Sequence, residues 1–129
     1  MNKSFQKSYT YEDILEADKN CKDAGMKRVH SLLFGAYGET NETIRECLER
    51  ILELKPDVLL IASGIRIYEK TTLYKQLAQI GWSPKEDGLL FPEFYSSDAV
   101  DHDLAKKDIE QYMTELLKVN SNIKIVNKY

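Results

Sequence analysis

The chain has 129 residues, enough for a single domain with one hydrophobic core. With 43% hydrophobic and 30% charged residues it is composed like a soluble globular protein, which excludes a disordered or fibrous chain. A net charge of −3, with the basic residues scattered, argues against a dedicated nucleic-acid binder, and no direct nucleic-acid contact is expected.

The run Val58-Leu59-Leu60-Ile61-Ala62 is far shorter than the roughly 20 residues of a membrane helix. No basic stretch followed by an apolar segment opens the chain, so the expected address is cytoplasmic, with no membrane partner. Residues 1–9 read as a polar tail. Thr10 then stands as an N-cap with Asp13 three positions on, and Ile14, Ala17, Cys21 and Ala24 recur at helical spacing. This predicts a helix over 11–24, ended by Gly25.

Arg28 to Phe34 reads as a first strand, followed by the loop Gly35-Ala36-Tyr37-Gly38-Glu39-Thr40. Thr40 or Asn41 caps a second helix, whose Ile44, Cys47, Leu48, Ile51 and Leu52 share one face until Lys55-Pro56 stops it. Asp57 to Ser63 is an apolar run of the kind found in parallel strands buried on both faces. A loop over Gly64-Ile65-Arg66-Ile67-Tyr68 leads to a short helix begun by Thr71 or Thr72 and ended by Gly81. Residues 82–100 read as irregular, with Pro84, Gly88 and Pro92 as punctuation. A helix over about 101–118 and an edge strand over 123–126 close the chain. The order is that of an α/β protein built from parallel βα units. A complete eight-unit barrel takes about 250 residues, so the chain reads as part of one or as a small domain in its own right. Its open sheet edges also invite pairing, and a homo-oligomer formed through them is one expectation.

Ligands in parallel α/β proteins collect at the carboxyl ends of strands, where both glycine-bearing loops lie. The first lacks the Lys-Ser/Thr pair of a phosphate-binding P-loop, and an ordinary strand-to-helix turn explains it equally well. It could also bring backbone N–H groups to a phosphate or nucleotide, with Arg66 as counter-charge. The plainer reading of Arg66 is a surface residue paired with Glu39 or Glu69. Tyr37, Tyr68 and Tyr74 crowd the same mouth and read first as packing. His30 reads as a packing residue, and Asp98, Asp101, His102 and Asp103 as the charge that suits a helix start. Cys21 and Cys47 lie far apart in helical patterns and suggest neither a disulfide nor a metal site. No residues with a catalytic role stand out.

The two loops together carry a resemblance. The segment from His30 to Thr43, with Leu33-Phe34-Gly35-Ala36-Tyr37-Gly38-Glu39-Thr40 at its centre, resembles the fifth-strand segment of radical S-adenosylmethionine enzymes. Many of these carry Gly-x-Pro-Gly-Glu-Thr before an amphipathic helix. Leu54-Lys55-Pro56-Asp57 likewise resembles the lead into that family's sixth strand. Gly64-Ile65-Arg66-Ile67-Tyr68, then Thr71 or Thr72 with Leu73, and Leu89-Leu90-Phe91-Pro92-Glu93-Phe94-Tyr95 look most like the branch that often has a cobalamin-binding domain upstream. The resemblance covers residues 10–97. It implies the late βα units of a partial TIM-type barrel over residues 10–100, then a closing helix and short edge strand over 101–129. It also implies S-adenosylmethionine and a 4Fe-4S cluster in the intact parent, with cobalamin as a further candidate. By position, Leu33 and Gly35 would meet the adenine or ribose and Gly38 would belong to the same loop. Ile65 and Arg66 would line the adenine edge or the substrate side, and Glu39 would orient the loop from behind. The family's Cys-x-x-x-Cys-x-x-Cys is absent, Ser31 stands where glycine is common, and Tyr37 replaces the usual proline. The chain is therefore expected to be a carboxyl-terminal fragment, beginning partway into its parent, inactive alone, and partnered by the missing amino-terminal barrel half and an unidentified small-molecule substrate.

Overall fold

The structure is a computed structural model and describes residues 7–86 and 89–129. Most of the polar tail, residues 1–6, and Gly88 lie outside the described residues. The elements run α1 (Tyr11–Asp23), β1 (Val29–Phe34), α2 (Asn41–Leu54), β2 (Val58–Ser63), β3 (Ile65–Arg66), α3 (Thr72–Gln79), β4 (Phe94–Tyr95), α4 (His102–Val119) and β5 (Lys124–Lys128). β1, β2 and β5 form a parallel sheet in that order, with Leu32 level with Ile61 and Leu59 level with Ile125.

The local signals act as expected. Thr10 and Thr40 each form a capping box, and Thr71 and Asp101 each accept an N–H of the first turn of their helices. Lys55 ends α2 in the left-handed conformation, just ahead of Pro56. Period-two alternation sends Leu32, Phe34, Leu59 and Ile61 to one side of the sheet. There they form the core with Ile44, Leu48 and Ile51 of α2 and Ala105, Ile109 and Leu116 of α4. Arg45 and Asp108, 2.7 Å apart, link the same two helices.

Three expectations are corrected. β2 is not buried on both faces. Leu60, together with Val29 and Leu33 of β1, is exposed on the side of the sheet away from α2 and α4. An apolar run signals a strand but cannot say which neighbours are present to cover it. The Gly64–Tyr68 segment is not all loop, because Ile65–Arg66 pairs antiparallel with Phe94–Tyr95, from the stretch read as irregular. Two-residue strands are too short for periodicity to reveal. The last strand runs to Lys128 rather than ending at Val126.

His30 is half-buried, and beyond packing it makes a polar contact. Its Nε2 lies 2.9 Å from Asp18 Oδ1, while Asp18 Oδ2 accepts from Arg28 Nη1 at 2.7 Å. This cluster sits at the amino ends of the strands, opposite the loops considered next.

Candidate functional site

The carboxyl ends of β1 and β2 meet where the Gly64 N–H donates to the Phe34 carbonyl at 2.9 Å. Gly35 leaves β1 with φ of 104°, in the region that favours glycine. A Cβ at this position would sit 3.1 Å from Ser96 Oγ and 3.2 Å from the Gly64 nitrogen. Gly35→Ala is therefore expected to destabilise the chain by about 1–3 kcal/mol, read from urea unfolding. An unchanged midpoint would mean that the turn can rearrange around a methyl group.

Glu39 is 5% exposed, and its carboxylate turns back into the loop to accept the N–H of Gly35. Its own carbonyl accepts the Ser97 hydroxyl at 2.8 Å. Burial pushes the Glu39 carboxyl above the ordinary carboxylate range, while the N–H groups of Gly35 and Ala36 pull the other way. A raised folded-state value gives stability that is present below the unfolded value of 4.5 and lost as pH rises through the folded one. Relative to Glu39→Gln, the native chain should thus lose stability as pH rises from 4.5. Unfolding midpoints of the two proteins that stay parallel across this range would show that Glu39 ionises alike folded and unfolded.

The segment between β4 and α4 is tied down by a pairing that sequence reasoning did not foresee. The Asn41 amide donates to the Asp101 carbonyl at 3.0 Å, and its oxygen accepts the Asp101 N–H at 2.8 Å. Nothing in the sequence links positions 60 residues apart, so no local signal could have found this bridge. The reading of Asp101 as a helix-start residue holds, since its side chain accepts the Leu104 N–H.

The predicted residues cluster at one end of the sheet. Leu33 is exposed on the open face, Gly35 is buried, Gly38 is exposed with φ of 81°, and Ile65 and Arg66 form β3 beside Phe94 and Tyr95. Arg66 does not pair with Glu39, because Glu39 faces the loop backbone and the guanidinium lies over the Tyr68 ring, 4.9 Å from its centre. Tyr37 packs against Tyr95 with ring centres 6.1 Å apart, and Phe94 stands exposed over Gly64. Around Arg66 the mouth is therefore lined by aromatic rings, with its guanidinium on the rim.

This geometry disfavours a phosphate cradle. The Gly35 N–H is already committed to the Glu39 carboxyl, so it is not available to an anion. Burial also raises the Cys47 thiol to about 11, so it stays protonated and is a poor metal ligand. Among the described residues, no group of three or more His, Cys, Asp or Glu side chains could hold a metal ion, and no helix is long and apolar enough to cross a membrane.

No family model matches the chain. Over 71 residues, 55% of the chain, it is 35% identical to a tryptophan 2-C-methyltransferase of Streptomyces laurentii. Its fold matches the radical S-adenosylmethionine methyltransferase TsrM from Kitasatospora setae. With the form that has cobalamin and a 4Fe-4S cluster bound, the TM-score is 0.65 at 22% identity, over 82% of this chain and 27% of that one. With the form that has tryptophan and the analogue aza-SAM bound, it is 0.68 at 20% identity, over 95% and 29%. The chain spans only 12% of the curated relative's length and less than a third of the solved chains.

Proposed function

We infer the function from one premise: the chain is homologous to a small part of a TsrM-like methyltransferase, within the radical S-adenosylmethionine family that its loop sequences implied. In this reading it supplies the late βα units, residues 10–100, and a closing helix and strand, residues 101–129, of an enzyme that transfers a methyl group to a small molecule. The observation that carries it is the uncovered sheet. Val29, Leu33 and Leu60 stand exposed on the face away from α2 and α4, where a closed barrel would have its interior. Two further features agree. α1 contains no fully buried residue, and a groove of about 430 Å³ opens between α1, α2 and the free edge of β1. The missing barrel half, rather than a second copy of the chain, covers these surfaces.

The residues present fit the nucleoside side of such a cofactor. Leu33 offers an apolar strip beside the strand end, and Gly35, having no side chain, lets Ser96 and the Gly64 turn close against the end of β1. Because its N–H is held by Glu39, Gly35 shapes the wall of the site rather than offering a donor. Glu39 keeps the Gly35–Thr40 turn closed, Gly38 gives that turn its left-handed bend, and Ile65 lines the adjoining wall. Arg66 and the rings around it face the substrate side, where a guanidinium can pair with a carboxylate. When bound, S-adenosylmethionine, the 4Fe-4S cluster and cobalamin supply the methyl group and the electron chemistry. Ligands for the cluster come from outside this chain, since Cys21 and Cys47 sit within helices.

The test is to read the DNA upstream of the codon for Asn2. An open frame that encodes Cys-x-x-x-Cys-x-x-Cys supports the assignment, and a stop codon immediately before Met1 overturns it. In calorimetry, the isolated chain should bind S-adenosylmethionine weakly at most. Tight stoichiometric binding would overturn the division of the cofactor site between two halves.

A further inference from the structure

Three polar side chains from separate elements form a row whose first member, Ser96, lies beside Gly35. Ser96 follows β4, His102 opens α4, and Tyr129 follows β5. His102 Nδ1 lies 2.9 Å from the Tyr129 hydroxyl, and its Nε2 lies 3.5 Å from Ser96 Oγ. The Tyr129 ring is fixed from behind by an edge contact with buried Phe34, with centres 6.2 Å apart. Ser96 Oγ occupies the space a Gly35 side chain would otherwise fill, so the row ends at the mouth formed by the strand ends. None of these residues belongs to the sequence motifs that pointed to the cofactor.

We propose that Ser96, His102 and Tyr129 form a proton relay for the transfer reaction, with His102 as the acceptor working through Ser96. This rests on the methyl-transfer reading given above. When a methyl group moves to a substrate atom as a cation equivalent, leaving its bonding electron pair on the methyl donor, the hydrogen it replaces leaves that atom as a proton. The proton passes to Ser96 Oγ as the Ser96 hydroxyl proton passes to His102 Nε2. The imidazolium so formed keeps its Nδ1–H on the Tyr129 oxygen, and it later returns its proton to water. No electron changes hands. The arrangement has the order of a nucleophile, base and orienter, but here the serine only carries the proton. A 3.5 Å separation is loose for a hydrogen bond and suits a contact that tightens on loading.

The relay requires one tautomer. Nδ1 must carry the proton and donate to Tyr129, leaving the Nε2 lone pair toward Ser96. In a solvent-exposed histidine side chain the opposite tautomer prevails, so the assignment can be checked without any cofactor. Ring-nitrogen NMR of the 129-residue chain, recorded at about pH 8 where an ordinary imidazole is neutral, should show His102 mostly as the Nδ1–H form. His30 serves as the second, separately assigned signal. Tyr129→Phe should return His102 to a majority of Nε2–H, whereas Ser96→Ala should leave Tyr129 holding the Nδ1 proton. A His102 already in the Nε2–H form in the native chain overturns the relay, as does one that Tyr129→Phe leaves unchanged. An unfolded chain would give the solvent-exposed pattern and would also count against it. Because the readout needs no cofactor, its failure removes the relay while the enzyme assignment stands. A stop codon before Met1 would remove the assignment instead.

Discussion

Phe34→Ala is expected to destabilise the chain by about 3–5 kcal/mol, the largest effect of any single truncation considered. Phe34 is completely buried on the helix-covered side of β1 and meets the Tyr129 ring edge-on. Removing it opens a cavity between the sheet and its helices that a three-stranded sheet cannot easily collapse. For a domain of this size the melting temperature should fall by roughly 10–20 °C. The neighbouring residue is the control. Leu33 points to the uncovered face and is 39% exposed, so Leu33→Ala should change stability by less than about 1 kcal/mol. Differential scanning calorimetry of both variants decides the matter. Equal losses would show that the open face is packed in solution and would refute the assignment of the two sides of the sheet.

Asp18→Ala should destabilise by about 3 kcal/mol, at the lower end of what breaking a buried ion pair costs. The Asp18 and Arg28 side chains are only 9% and 11% exposed, so removing the carboxylate strands a guanidinium largely away from water. The value stays at the lower end because Arg28 keeps other partners. Its Nε is 3.4 Å from Asp57, and its Nη atoms donate to the Leu54 and Lys55 carbonyls at 3.3 and 3.0 Å. Those carbonyls close the carboxyl end of α2, where positive charge is favourable. Asp18 also holds His30, so the variant should loosen α1 from β1 before the rest of the fold. Hydrogen exchange should show α1 amides losing protection first. If α1 exchanged as in the native chain, its contacts Tyr11 Oη to Glu53 at 2.7 Å and the Arg50 guanidinium over the Tyr11 ring would be shown to suffice.

The sequence by itself determined every long element and, to within about a residue, where each begins. Helix starts were written locally, in Thr10 with Asp13 and in Thr40 ahead of an amphipathic run, because a cap is satisfied within three or four residues. Strand alternation then put Leu32, Phe34, Leu59 and Ile61 on one side, and the glycine-bearing turns after them marked the end of the sheet where the candidate residues collect. The kinship was legible too, because it rests on short contiguous motifs. Only the tertiary structure decided which sheet face is covered, since burial depends on neighbours and not on a strand's own composition. It also decided what the polar groups do. Glu39 turned inward to Gly35, Arg66 lay on Tyr68, and Asn41 reached Asp101. His102 found Tyr129 by the same route, across 27 positions of chain. Polar partners are chosen by distance in space, and a fold brings together groups whose separation along the chain carries no signal.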